Sequence, residues 1–121
     1  MGVAFNKMTN RTIIGLTETI IIFGANKSKK LVARVDTGAT KSSIDIGIAE
    51  QLGLEAEQKR ILVKSAHGAR FRPVIKESVK IAGKRFNASF TLADRSNLKY
   101  KVLIGQNILK MGEFLIDPLK K

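Results

Sequence analysis

Three consecutive residues, Asp36, Thr37 and Gly38, are the residues of this chain best suited to catalysis. They follow the strand-like run 31–35, so a turn leaving a β-strand would present the carboxylate. A carboxylate can activate water for peptide hydrolysis, and it works best beside a second one that shares its proton, because adjacent like charges cannot both ionise. Asp-Thr-Gly occurs once, so we expect a half-site that a second copy of the chain completes. Taken alone, the same residues also fit an ordinary Asx turn.

Composition limits the remaining chemistry. A chain of 121 residues with 44% hydrophobic residues fits one globular domain with a modest core. There is no cysteine, which excludes disulfides and thiolate zinc sites. The single histidine, His67, excludes a zinc site built from several histidines of one chain. We therefore expect no metal and no cofactor.

Hydrophobicity along the chain indicates no membrane attachment. No run approaches the ~20 apolar residues of a membrane span, and the first ten residues lack a secretory hydrophobic region. We expect a cytoplasmic protein. The net charge of +12, from 22 Lys plus Arg against 10 Asp plus Glu, would attract a polyanion such as nucleic acid or an acidic peptide. The basic residues are scattered, and a solvated lysine-rich surface explains them equally well.

Short strand-like segments separated by turn residues dominate the chain. Two helical segments interrupt them, at 48–52, where Gly53 would close the helix, and at 107–111. A hairpin tip is predicted at 66–69. Many short strands with one or two small helices favour a compact β-barrel or sandwich. The predicted strands are 12–16, 18–23, 31–35, 42–46, 61–65, 71–75, 79–81, 86–92, 101–104 and 114–116.

Several motifs, in order and spacing, resemble one protein family. They include Ala-Arg-Val-Asp-Thr-Gly-Ala at 33–39, Ser-Ala-His-Gly at 65–68, Val-Leu-Ile-Gly-Gln-Asn-Ile-Leu at 102–109 and Ile-Asp-Pro at 116–118. The chain resembles the retropepsin-like aspartic proteases. It is most similar to a small bacterial and archaeal branch that is associated with ribosomal-protein modification and often labelled "ATP-dependent zinc protease". No ligand cluster or phosphate loop supports the zinc or the ATP of that label.

The resemblance implies an all-β fold, a closed β-barrel of the acid-protease type with one or two short helices, active as a homodimer. It covers roughly residues 12–118, so we divide the chain into an N-terminal extension (1–11), a retropepsin-like domain (12–118) and a basic C-terminal tail (119–121). The implied function is an aspartic endopeptidase. An alternative is a protein that kept the fold as a non-catalytic binding or assembly module.

The same resemblance assigns roles to the catalytic turn. Asp36 would face its symmetry mate, one carboxyl protonated and one ionised, and polarise the attacking water. Thr37 would hydrogen-bond across the two-fold axis, and Gly38, lacking a Cβ, would let the backbone approach the carboxylate. Ala39 is small where a substrate backbone would lie.

Other segments are implied to surround the site. His67 and Gly68 fit the tip of a flap that closes over bound peptide, although a surface hairpin without a role is an alternative. Near the site we expect structural roles for Gly105, below the catalytic turn, and for Asn107, at the start of the short helix. Asp94 and Arg95 are expected to form a local ion pair in a wall of the cleft.

Substrate preference is predicted from departures from the viral enzymes. Thr40 and Lys41 stand where those enzymes carry acidic residues, and Gln106 stands where an arginine is common. With Arg70 and Arg72 on the flap arm, Lys41 would favour acidic peptides such as glutamate-rich tails. A small basic β-barrel that binds nucleic acid is the other alternative, but its strands lack the interleaved aromatic and basic residues of RNA-binding sheets.

Overall fold

The computed structural model describes residues 4–6, 10–54, 57–66 and 68–120; for residues 57–61 and 65 only the backbone is described. Among the described residues, no helix has the length and hydrophobicity needed to cross a membrane. The elements, in chain order, are β1 (Phe5–Asn6), β2 (Arg11–Ile14), β3 (Thr17–Phe23), β4 (Ser28–Val35), β5 (Ser42–Asp45), α1 (Ile46–Gln51), β6 (Glu57–Ser65), β7 (Gly68–Ile81), β8 (Lys84–Ala93), β9 (Val102–Ile104), α2 (Gln106–Met111) and β10 (Leu115–Ile116).

The main sheet closes on itself. Its strand order is β3-β4-β9-β5-β8-β7-β6, and β3 also pairs with β7. Ile20 of β3 lies opposite Leu31 of β4 on one side and Ile81 of β7 on the other. The six strands from β3 to β7 therefore form a closed barrel, while β6 pairs only with β7 among the described residues. The prediction of an all-β closed barrel with short helices is confirmed.

The core lies inside this barrel. Ile20 and Ile22 alternate along β3 with less buried neighbours and are fully buried, as expected when successive side chains point to opposite faces. Ile104 of β9 and Phe90 of β8 are buried in the same cluster. Most of these residues are β-branched or aromatic, which suits a pleated sheet. The core thus supports the strands that carry the loops at the barrel end.

A second, smaller sheet brings the two ends of the chain together. It has the order β1-β2-β10, with β1 antiparallel and β10 parallel to β2. Lys120 forms an ion pair of 2.6 Å with Glu18, and the Arg11 guanidinium donates to the carbonyls of Glu113 and Phe114. Residues on both sides of the predicted 12–118 boundaries therefore contact residues inside them, and the proposed domain division stays a prediction.

Helix α1 begins at Ile46, the last residue of the predicted strand 42–46 and two residues before the predicted helix start. The Asp45 carboxylate accepts a hydrogen bond from the Gly47 amide, at 3.1 Å, and caps the helix, which stops β5 at Asp45. Gly53 follows the helix with a φ of 66°, the left-handed conformation that glycine adopts easily. The predicted role of Gly53 as the end of this helix is confirmed.

Candidate active site

The predicted catalytic turn, residues 36–39, follows β4 and is held by its own carboxylate. We refer to it as the catalytic turn. The Asp36 amide donates to the Ile104 carbonyl at 2.9 Å, which fixes the start of the turn against β9. Asp36 Oδ1 accepts from the Gly38 amide at 2.9 Å. Asp36 is half-buried, whereas Thr37 and Gly38 are exposed. The Asx turn therefore forms as predicted, and its outer residues are open to solvent in the single chain.

Helix α2 supports the turn from behind. The Gln106 amide donates to the Ala39 carbonyl at 2.8 Å, and the Asn107 amide donates to the Thr40 carbonyl at 3.3 Å. The Gln106 side chain donates from Nε2 to the Thr37 carbonyl at 2.8 Å. Gln106 stands where an arginine is common in the viral enzymes. Its neutral side-chain amide thus holds the backbone of the catalytic turn. The helix begins at Gln106 rather than at Asn107.

A polar network buried below the turn joins two strands, β5 and β8, to α2. The Ser42 hydroxyl accepts from the Gly105 amide at 2.9 Å and donates to Asn107 Oδ1 at 2.7 Å. Asn107 Nδ2 donates to the Ser89 carbonyl at 3.0 Å, and Thr91 Oγ1 donates to the Ser42 carbonyl at 3.3 Å. Ser42 is fully buried. The network therefore fixes α2, and with it the catalytic turn, against the barrel.

Replacing Ser42 by Ala should lower the free energy of unfolding by about 1–3 kcal/mol, because it leaves the Gly105 amide and the side-chain oxygen Oδ1 of Asn107 without their partner. Urea denaturation measures the change. Ser89→Ala is the matched control, since Asn107 bonds the backbone of Ser89 and not its hydroxyl. Equal stability of the Ser42 variant and the wild type would contradict a supporting role for this network.

A groove of about 430 Å³ lies beside the turn and is lined by four cationic side chains. These are Lys41, Lys64, Arg72 and Arg95. Within the described part of the chain, none of them forms an ion pair. The groove therefore carries positive charge that is not held in any described ion pair. The described residues that line it are Gly38, Ala39, Thr40, Lys41, Ser43, Leu62, Val63, Lys64, Arg72, Thr91, Arg95 and Leu103.

Arg95 is the most constrained of these cations. Its amide donates to Asp45 Oδ1 at 2.7 Å, and its Nε donates to the Tyr100 carbonyl at 3.0 Å. Burial lowers the pKa of Arg95 from its ordinary value, and the charge of Arg72 lowers it further, whereas the charges of Asp45 and Asp36 raise it. An arginine nevertheless stays protonated in proteins. Arg95 is thus a fixed positive charge in the wall of the groove, electrostatically coupled to Asp36.

A comparison with protein families shows which family this chain belongs to. Residues 24–111 match the family described as gag-polyprotein putative aspartyl protease. The chain belongs to this family. The match includes the catalytic turn, the β6–β7 hairpin and α2. No curated protein matches the chain.

Solved structures share the fold of this family member. The EIAV protease in complex with the inhibitor HBY-793 has a TM-score of 0.67 at 16% identity, covering 95% of this chain and 99% of that one. A Legionella pneumophila protein of unknown function has a TM-score of 0.65 at 20% identity, covering 90% and 95%. The simian foamy virus (mac) protease has a TM-score of 0.57 at 22% identity, covering 78% and 91%. These similarities establish the retropepsin-like fold, and the narrower resemblance to the bacterial and archaeal branch stays a prediction.

The structure brings most of the predicted site residues together. Gly38, Ala39, Thr40, Lys41 and Arg72 line the groove. Gly105 and Asn107 lie behind the turn, as expected of structural residues. Three further predicted residues, His67, Gly68 and Arg70, belong to the predicted flap. Gly68 and Arg70 are exposed on β7, and the predicted contact of His67 with substrate falls outside the described residues.

The position of Arg70 follows from the register of the hairpin. Arg70 lies opposite Val63, and Arg72 lies two residues further along β7. Side chains two residues apart point to the same face of a strand. Val63 and Arg72 of that face line the groove, but so do Leu62 and Lys64 of the opposite face, and Arg70 is not among the described residues that line it.

The predicted ion pair between Asp94 and Arg95 is wrong. The Arg95 guanidinium turns toward Ser43 and the Tyr100 carbonyl. Asp94 Oδ1 accepts instead from the hydroxyl and the amide of Ser96, at 2.6 and 3.0 Å, and these bonds lower its pKa from the ordinary value. Neighbouring side chains that point in different directions cannot pair, and here each finds a closer partner.

Sequence reasoning missed Ser42 and Lys64. Ser42 lies in a strand whose polar and apolar residues alternate, which is typical of a half-exposed strand, yet all four residues of β5 are buried. Lys64 lies in the predicted flap hairpin, and its basic character was the available signal. Both roles depend on which strands flank these residues.

Proposed function

We propose that this chain is an aspartic peptidase that acts as a homodimer, with Asp36 of each copy forming one catalytic pair. The observation that carries the proposal is the geometry of the turn. A half-buried carboxylate stands at the end of β4, its backbone fixed by α2, next to a groove lined by basic side chains. The family supports the same reaction class.

A second copy would supply what one chain lacks. Asp-Thr-Gly occurs once, and the turn is exposed at Thr37 and Gly38. The Thr37 carbonyl is held by Gln106, while its hydroxyl has no hydrogen bond within the described residues. A hydroxyl presented on a rigid, exposed turn is available to a partner turn across a two-fold axis.

One carboxyl of the pair would act as general base and the other as general acid. Two adjacent carboxyls share one proton, since both cannot ionise at close range. The ionised carboxylate would take a proton from the attacking water while the protonated one donates to the carbonyl oxygen of the peptide. The carboxyl that took the water proton would then give it to the leaving amine, while the gem-diol returns a hydroxyl proton to the other carboxylate as the C–N bond breaks and the carboxylic acid product forms. The pair is then back in its starting state. The reaction needs no further reagent than water and the peptide.

The charges of the groove support an acidic peptide as substrate. Lys41, Lys64, Arg72 and Arg95 line it, and Arg70 lies on the same face of the hairpin as Arg72. Complementary charge raises both the rate of encounter and the selectivity for a partner. Glutamate-rich peptides would place carboxylates along this surface. A cytoplasmic location and independence from cofactors remain predictions.

Arg72→Gln should lower kcat/KM for a glutamate-rich peptide by about tenfold, equivalent to about 1.4 kcal/mol, because it removes one unpaired charge from the groove. For a neutral peptide of the same length we expect little change. Lys80→Gln is the control, since Lys80 is exposed on the same strand and does not line the groove. Equal losses on the two peptides would show that Arg72 does not select charge.

A further inference from the structure

A second pocket, of about 410 Å³, adjoins the groove. Lys41 and Thr91 line both spaces, so the two lie side by side. Lys76 of β7 and Asn87 of β8 lie in the wall of the second pocket, away from the catalytic turn. We call this second space the Lys76 pocket. The proposed function makes no use of it.

The wall of the Lys76 pocket carries side-chain donors without partners. Lys41, Lys76 and Asn87 are exposed, and within the described residues their side chains form no ion pair and no hydrogen bond. Among the described residues, no aspartate or glutamate lines the pocket. Glu77, next to Lys76, lies on the opposite face of β7 because successive side chains alternate. Two ammonium groups and an amide are therefore available to an anion.

The interior of the pocket is polar but already satisfied. Ser42, Asn107 and Thr91 line it, and each of these side chains makes a hydrogen bond within the network that supports α2. The exposed side chain of Met111 adds an apolar surface. A ligand would thus find its charge partners at Lys41, Lys76 and Asn87, and an apolar contact at Met111. A carboxylate on a short aliphatic stem, as in glutamate, has this chemistry.

We propose that the Lys76 pocket is an exosite that binds a glutamate-type side chain of a peptide whose cleaved bond lies in the neighbouring groove. The proposal rests on the proposed function for the location of that bond. Lys41 would contact both parts of the peptide, and Lys76 and Asn87 only the distal part. A peptide long enough to reach the pocket then binds more tightly than one that fills the groove alone.

The test uses two peptides with the same glutamate-containing centre, one of them extended by further glutamates at both ends. Their affinities are measured by fluorescence anisotropy in an Asp36→Asn background, where cleavage does not interfere, and their cleavage is measured with Asp36 intact. Lys76→Glu should weaken binding of the long peptide about tenfold and leave the short peptide unchanged. Lys80→Glu makes the same charge change on the same strand outside the pocket and should alter neither affinity.

The outcomes separate the two proposals. Equal weakening by Lys76→Glu and Lys80→Glu, or no effect of either, would overturn the exosite, because the field of the whole chain would then explain the binding. Lys76-dependent binding of the long peptide without any cleavage would overturn the peptidase and leave the exosite standing. Tighter Lys76-dependent binding of a short single-stranded RNA than of the long peptide would show that the pocket takes a phosphate chain instead.

Discussion

Replacing Asp36 by Asn should reduce peptide hydrolysis by at least about 10³-fold, the scale seen when a catalytic residue is removed. An amide can neither ionise nor share a proton with its symmetry mate, so the pair loses both its base and its acid. The fold should survive, because the side-chain oxygen of asparagine can still accept the bond that the Gly38 amide donates at 2.9 Å. Cleavage of a glutamate-rich peptide and thermal unfolding measure the two effects.

The chain offers a closely matched control for this substitution. Asp117 Oδ1 accepts from the Leu119 amide at 2.9 Å, the same two-residue turn geometry as at Asp36, far from the groove. Asp117→Asn should leave hydrolysis unchanged. A non-catalytic binding or assembly module predicts the reverse pattern for Asp36, with function intact in the Asn variant. Full activity of that variant would therefore favour the module.

Gly105→Ala should disrupt the catalytic turn and destabilise the fold. A Cβ at this position would lie 2.2 Å from the Lys41 carbonyl oxygen and 2.8 Å from that of Ala39. Both atoms belong to the backbone at the end of the turn, which is hydrogen-bonded to the start of α2. Either α2 or the turn must therefore move. Overpacking costs about 1–3 kcal/mol, and a displacement of about 1 Å in a catalytic group can cost 10²-fold in rate.

Urea denaturation and peptide cleavage measure both parts of this effect. Gly47→Ala is a useful comparison, since the nearest atom to an added Cβ there is a carboxylate oxygen of Asp45 at 3.0 Å, and Ala favours the helix in which Gly47 lies. We expect the Gly47 variant to retain activity. Unchanged stability and activity of Gly105→Ala would show that the turn and α2 are not packed as described.

Local patterns predicted a barrel or sandwich of short strands with small helices, and the turn at Asp36. Alternation along β3, the turn residues and the helix-ending Gly53 are all short-range signals, and each reports the conformation of the residues that carry it. The Asp36–Gly38 turn belongs to the same class, because the carboxylate bonds an amide two residues away. The closed retropepsin-like barrel was predicted from the resemblance of several motifs, in order and spacing, to the retropepsin-like proteases.

The groove and its support depended on contacts that no local pattern shows. Ser42 lies 63 residues from Gly105, which it bonds, and its burial follows from the position of β5 between β8 and β9. Asp45, 50 residues away, holds the Arg95 backbone amide, and the guanidinium contacts Ser43, 52 residues away, which explains why the expected pair with Asp94 was wrong. The side-chain partners of a polar residue are set by strand order, and strand order is a property of the whole barrel.

The most direct test of the catalytic proposal is a crystal structure of the protein with a peptide-like inhibitor, in which the distance between the carboxyl groups of two Asp36 residues is measured. The proposed dimer predicts that the nearest oxygens lie about 2.5–3.0 Å apart across a two-fold axis, the range of a hydrogen bond between carboxyls. Asp36 carboxyls that face solvent, or that lie too far apart for a hydrogen bond or one bridging water, would contradict the proposed mechanism.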